Sequence, residues 1–163
     1  MAESGLLKKI KENRVVDWAA YQYPNLNFIK HKSASDGLTL YNYRWISSFN
    51  KRPKAVICFL PGYGTYAGKY ANIAKMYADQ GYDFIGMDYK GYGRSEGQRR
   101  LIKNLDLLYE EELEFLLKAR EFYKQLYPET AIPFYTFGYS LGCKISIGVA
   151  RKLKESGSDP LDG

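Results

Sequence analysis

Three times in this chain a short run of β-forming apolar residues leads into a glycine turn and then into helix-like sequence. "KAVICFL" leads to "PGYGTYAG" and "KYANIAKMYADQ". "YDFIGMDY" leads to "KGYGRSEGQ" and on to the stretch Asn104–Tyr127, and "IPFYTF" leads to "GYSLG" and the stretch Leu141–Lys154. The first run is apolar throughout, which suits a strand buried on both faces. Strands alternating with helices indicate an α/β fold with a parallel central sheet, and right-handed crossovers put consecutive helices on predictable faces. Parallel strands are therefore expected near 55–60, 83–88 and 133–138, with helices between them.

Upstream, "NLNFIKHKSASDGLTLYNYRWISS" reads as two strands joined by a turn at Ser35-Asp36-Gly37. The second alternates, with Leu38, Leu40, Asn42 and Arg44 on one face and Thr39, Tyr41, Tyr43 and Trp45 on the other. "NKRPK" punctuates. In the next helix Tyr70, Ile73, Ala74 and Tyr77 recur at helical spacing, and Gly81 is a natural stop. In the long helix, Leu105, Leu108, Leu113, Leu116 and Leu117 supply the apolar side and Glu110, Glu111, Glu112 and Glu114 the wet one, before Pro128 ends it. "KESGSDPLDG" reads as a loop.

A length of 163 residues suffices for one compact domain with its own core. The net charge of +6 is spread along the chain, with clusters at Lys8–Lys11 and Lys51–Lys54. A scattered excess is a solvated surface before it is a nucleic-acid site, and no RNA-binding motif accompanies the sixteen tyrosines. Cys58 and Cys143 read as buried free thiols of a reducing compartment. "MAESGLLKKIKENRV" lacks a signal peptide's apolar core, and "AVICFL" is too short to span a bilayer, so the expected location is cytoplasmic. Leu6, Leu7 and Ile10 form one face of a candidate short helix with Lys8, Lys9 and Lys11 opposite, which leaves room for peripheral membrane contact.

"CFLPGYGTYAGKY" has two candidate chemistries. Gly62, Gly64 and Gly68 between strand and helix, with Asp88 ending the next strand, approach a dinucleotide-binding unit. The spacing is G-x-G-x-x-x-G, however, and Pro61 removes a donor before the turn. A phosphate loop fails, because the motif is one residue short and has Tyr70 where a Ser or Thr should hold magnesium. The second chemistry is an oxyanion hole. Gly62 and Gly64 let the chain bend around Tyr63, whose N–H can face the oxygen that turns negative in acyl transfer.

Gly138-Tyr139-Ser140-Leu141-Gly142 matches G-x-S-x-G, in which a serine sits on a strained strand-to-helix turn with small neighbours two residues to either side. The turn lifts the hydroxyl clear of the sheet, the helix N-terminus favours negative charge, and the N–H of Leu141 becomes the second oxyanion donor. The plainer alternative is a helix N-cap serine between packing glycines.

From about Leu38 onward the sequence resembles the N-terminal portion of an α/β-hydrolase of the monoacylglycerol lipase, lysophospholipase and serine aminopeptidase-like group. The family's oxyanion turn, usually His-Gly-x-Gly, stands here as "PGYG". Its Asp-x-x-Gly-x-Gly-x-Ser-x-Gly loop stands as "DYKGYGRSEG", and its elbow as "GYSLG". The resemblance implies Ser140 as nucleophile, the N–H groups of Tyr63 and Leu141 as oxyanion donors, Asp88 as the residue that fixes its loop, and no cofactor or metal. It implies a small-molecule ester or lipid substrate, with monoacylglycerols or lysophospholipids foremost. Pro61 replaces the family's His, and Tyr139 and Cys143 replace the commoner His and Gly beside the elbow.

The family's acid and histidine follow the serine in chain order. The only histidine here is His31, far upstream, and Asp159 and Asp162 directly follow the elbow helix. The expectation is thus the N-terminal portion of one α/β-hydrolase domain over 1–163, with 1–25 an extension and the cap and C-terminal strands absent. Such a chain should leave a bare, apolar sheet edge and be inactive alone for want of a base. The rival reading is a non-catalytic hydrolase-like binding protein that keeps the elbow as structure.

Overall fold

A computed structural model describes residues 26–47 and 52–163. The amphipathic segment around Leu6–Ile10, the Lys8–Lys11 cluster and Lys51 lie outside them. Strands β1 (Leu26–Lys32), β2 (Thr39–Trp45), β3 (Val56–Leu60), β4 (Asp83–Asp88) and β5 (Phe134–Gly138) form one sheet in the order β1-β2-β4-β3-β5. A 3-10 turn (Ala67–Tyr70) leads into helix α1 (Ala71–Asp79); α2 spans Leu105–Leu126 and α3 Leu141–Glu155.

β3 pairs in parallel with both β4 and β5, as expected of the three apolar runs. β1 and β2 add antiparallel strands beside β4. The chain leaves β3 for β4 on one side and later returns to β5 on the other. Two right-handed crossovers in opposite directions must put their helices on opposite faces. Accordingly, α1 packs with Tyr41, Tyr43, Trp45, Ile57, Phe59 and Phe84, whereas α2 and α3 cover Leu40, Val56, Cys58, Leu60, Ile85 and Met87. The reversal also makes the end of β3 a switch point, where neighbouring loops diverge and open a crevice.

The alternation expected of β2 holds, with Leu40 in one core and Tyr41, Tyr43 and Trp45 in the other. The polar Arg44 on the α2 face is buried with partners. Its guanidinium donates to Asp83 Oδ2 at 2.9 Å and to the Tyr123 hydroxyl at 2.8 Å. The Ser47 N–H closes the carboxylate's other oxygen at 2.8 Å. A buried ion pair satisfied in this way fastens α2 to β2 and to the start of β4.

Three sequence expectations need correction. Glu111 and Glu112 do not lie on the wet side of α2 but are buried, while Leu117 is exposed. The inward stripe runs through Leu108, Glu112, Phe115, Leu116 and Tyr123, so aromatic residues that a count of leucines ignores set the helix's rotation. Cys143 is exposed, not buried, because the inward positions of α3 are Gly142, Ile145, Val149 and Leu153. The edge of β5 is not wholly bare either. The Asp162 N–H reaches the Phe134 carbonyl at 3.0 Å and the Thr136 N–H reaches the Gly163 carbonyl at 2.8 Å, so the C-terminal residues already lie along it.

Glu111 has Lys90 as an ion-pair partner, whereas both oxygens of Glu112 are buried without a hydrogen bond. Burial, and then the charge of Glu111, hold the Glu112 carboxyl well above its ordinary value of 4.5. The folded chain therefore keeps a proton that the unfolded chain releases above about pH 4.5. Wild-type stability should fall as pH rises from there, by up to about 1.4 kcal/mol per pH unit until Glu112 ionises in the fold. Glu112→Leu should lack this slope and be the more stable protein at pH 7, with the gap narrowing towards pH 4.5. Urea unfolding of both across that range checks the slope; parallel curves would refute the assignment.

Candidate active site

Ser140 sits between the end of β5 and the first residue of α3, at φ 53° and ψ −116°. A positive φ is rare for a side-chain-bearing residue and costs of order 1–3 kcal/mol, so packing must hold the turn in place. The Tyr139 N–H donates to the Leu60 carbonyl at 3.0 Å, tying the elbow to the end of β3. A Cβ on Gly142 would lie 1.8 Å from that same carbonyl oxygen, which no side chain could survive. The second glycine of the motif is thus required by the approach of α3 to β3.

Ser140 makes no capping hydrogen bond and is exposed. The N-cap alternative fails on both backbone conformation and hydroxyl use, since an N-cap serine has extended backbone and bonds a first-turn N–H. Leu141 is the first helical residue, whose N–H has no acceptor within the helix. The turn after β3 lies against this elbow. A Cβ on Gly62 would come within 3.2 Å of Ser140 Cβ and 3.1 Å of the Tyr139 ring. Tyr63 follows Gly62 with its side chain mostly in solvent, and Gly64 takes φ 75°. The sequence-predicted residues Ser140, Leu141 and Tyr63 therefore share one end of the sheet, at the switch point.

Asp88 ends β4 and is fully buried. Its carboxylate accepts the Ala67 N–H at 2.8 Å, the Arg94 N–H at 2.9 Å and the Tyr43 hydroxyl at 2.9 Å. Burial pushes it up to about 6 against the downward pull of the hydrogen bonds from Arg94, Tyr43, Ala67 and Gly68. With its oxygens so engaged, Asp88 has none left for a ribose, and the dinucleotide reading of the glycine turn fails. Tyr89, which sequence reasoning passed over, donates its buried hydroxyl to the Pro61 carbonyl at 2.8 Å. That bond anchors the turn at the position where the family's usual histidine is missing. No local sequence signal marks this bond in advance.

Among the described residues, the candidates His31, Asp159 and Asp162 do not come to Ser140. His31 lies on β1, the opposite edge of the sheet from β5, and four strand spacings of about 4.8 Å make roughly 19 Å. Burial and then Lys118 lower its pKa, and its Nδ1 lies 2.8 Å from Asn42 Nδ2. Asp162 accepts the Phe134 N–H at 2.8 Å, at the far end of β5 from the elbow, and the Asp159 carbonyl accepts Arg120.

Sheet order and the strained elbow at the switch point together define an α/β-hydrolase fold. Among solved structures, a soluble variant of monoglyceride lipase from Saccharomyces cerevisiae superposes with a TM-score of 0.69 at 18% identity, covering 83% of this chain and 42% of that one. A thermostable carboxyl esterase from Bacillus coagulans gives a TM-score of 0.65 at 18% identity, covering 85% and 42%. At such identities the likeness shows the fold. The chain belongs to the family described as serine aminopeptidase, S33 (Hydrolase_4), which matches residues 51–158. In sequence it is similar to the monoglyceride lipase of Mus musculus, 29% identical over 122 residues, or 75% of this chain and 38% of that protein. The chain thus spans about two fifths of the length of the curated relatives it matches.

Asp88→Ala should cost about 3 kcal/mol or more at pH 7, because it strands buried donors from Ala67, Arg94 and Tyr43 at once. Urea denaturation measures it. A loss below about 1 kcal/mol would mean that these bonds do not hold the two glycine turns.

Proposed function

We propose that the chain carries the nucleophile and oxyanion hole of a serine ester hydrolase of monoglyceride lipase type. The observation that carries this reading is the strained, uncapped and exposed Ser140 packed against Gly62. In the proposed step, Ser140 Oγ attacks the ester carbonyl carbon while a base takes its proton. The carbonyl oxygen becomes an oxyanion between the N–H groups of Tyr63 and Leu141. Collapse breaks the bond to the leaving alcohol, which regains the proton, and water then releases the acid from the acyl-enzyme. Monoacylglycerols and lysophospholipids are the proposed substrates, and the exposed rings of Tyr63 and Tyr139 give an apolar chain a surface to lie on.

With His31 at the far edge of the sheet, these 163 residues should turn over a short-chain nitrophenyl ester no faster than their Ser140→Ala variant at neutral pH. Loss of triad members in a related chemistry costs on the order of a millionfold. Turnover clearly above the variant's would bring His31 back as a base. The nucleophile itself is tested at high pH, where hydroxide replaces the base. A fluorophosphonate should then label Ser140 in preference to the chain's other serines, as read by peptide mass spectrometry. Indiscriminate or absent labelling would favour the non-catalytic alternative.

A further inference from the structure

Among the described residues, two that bear side chains take a positive φ: Ser140 at 53° and Arg100 at 58°. Strained backbone of this kind gathers at functional sites, where the surrounding structure over-determines it. At Arg100 the loop after β4 does so. The Arg100 N–H donates to the Gly91 carbonyl at 3.2 Å, and the Leu101 N–H to the Gln98 carbonyl at 3.3 Å. These bonds call for a left-handed residue, which glycine would supply without strain. They do not call for a guanidinium.

Arg100 stands beside the oxyanion turn. Its carbonyl oxygen lies 3.5 Å from the hydroxyl of Tyr63, the residue after Gly62, and a Cβ on Gly62 would lie 3.2 Å from Ser140 Cβ. The Tyr63 and Tyr92 rings meet edge to face at 6.2 Å. Burial and then Tyr63 raise the Tyr92 phenol, and the charge of Arg100 pulls it back, so the guanidinium lies near this pair of rings. Other cations of the loop are engaged: Lys90 with Asp36 and Glu111, Arg94 with the Tyr41 hydroxyl, and Arg99 with the Gly93 carbonyl. Arg100 is exposed, and its guanidinium makes no hydrogen bond or ion pair among the described residues.

A planar cation with its N–H donors unspent suits a phosphate, which accepts two of them side by side. In an extended lysophospholipid the ester carbonyl carbon and the phosphorus are no more than about 8 Å apart, at about 1.5 Å per bond. That span is comparable with the Tyr63 side chain, which separates the oxyanion turn from Arg100. We infer that Arg100 binds the phosphate of the substrate's headgroup, so that this site selects lysophospholipids over monoacylglycerols. The inference deepens the hydrolase reading and rests on it, because the headgroup is placed relative to the oxyanion turn.

The test titrates the purified chain with hexanoyl lysophosphatidic acid, monohexanoylglycerol and inorganic phosphate, all below micelle formation, and reads the backbone amide resonances of Tyr63 and Arg100. The lysophosphatidic acid should bind about tenfold more tightly than either of the others. Arg100→Gln should bring it down to the level of monohexanoylglycerol, whose own affinity stays unchanged. Arg100→Lys, a point charge without the planar fork, should keep part of the preference. Equal affinities for the two lipids, no shift by either, or a preference that survives Arg100→Gln would overturn the inference. Inorganic phosphate binding as tightly as the lipid would do so too, since the site would then be one for free phosphate. Fluorophosphonate labelling of Ser140 is read separately: labelling without the preference removes the headgroup assignment alone, and the preference without labelling removes the hydrolase reading alone.

Discussion

The carboxylate of Asp88 is the point at which both glycine turns and β2 meet. Its two oxygens hold Ala67 at the entry to the first helix, Arg94 in the loop after β4, and the Tyr43 hydroxyl from β2. Gly93 comes so close to this carboxylate that a Cβ there would overlap it. An ionisable group with no solvent exposure is costly to bury, and its raised pKa records that cost. What offsets it is the number of donors converging on one acceptor, each of which would otherwise be an orphan at a loop. The loops after β3 and β4 are thereby fixed to each other before the elbow arrives from β5.

The elbow is held by different means. Ser140 stores backbone strain, and Gly142 gives up a side chain so that α3 can lie on the Leu60 carbonyl. The compensation comes from Ile145, Val149 and Leu153, all buried on the inner face of α3, at about 1.5–3 kcal/mol each. The Thr136 and Ser146 hydroxyls, 2.7 Å apart, tie strand to helix beside the turn. Burial of the helix thus exceeds the strain at the serine, and a residue left uncapped and exposed persists because its neighbours over-determine it.

The parallel strands, the helix order and the elbow were legible because each depends on local signals: apolar runs, glycine punctuation, and small residues at fixed offsets. The rotation of α2 was not, since leucines and glutamates alternate so closely there that only the aromatic residues Tyr109, Phe115 and Tyr123 distinguish one face from the next. The sixteen tyrosines looked like bias in composition, yet many are the fabric of the core. Tyr43 stacks on Trp45 at 5.3 Å, Tyr77 on Phe84 at 5.5 Å, and Tyr70 lies over Phe59 at 4.6 Å. Of the candidate site, the glycine turn and serine were readable from spacing. The Tyr89 bond to Pro61 was not, because it joins loops 28 residues apart through a side chain that any strand could carry.

Both faces of the sheet bury polar groups, and neither satisfies all of them. On the α1 side an aromatic stack fills the space, Asp88 near it accepts several donors, and Trp45 Nε1 within it is buried without a partner. On the α2 side the Arg44–Asp83–Tyr123 cluster is satisfied, but His31, Asn42 and Glu112 each keep a buried atom without a partner. Each such atom carries a desolvation penalty of about 1–3 kcal/mol that well-packed apolar side chains would have avoided. Glu112 lies near enough to Tyr89 and Cys58 for its charge to add to the upward push of burial on both, so one of the unsatisfied groups shares its side of the sheet with α3 and sits beside the tyrosine that anchors the Pro61 turn.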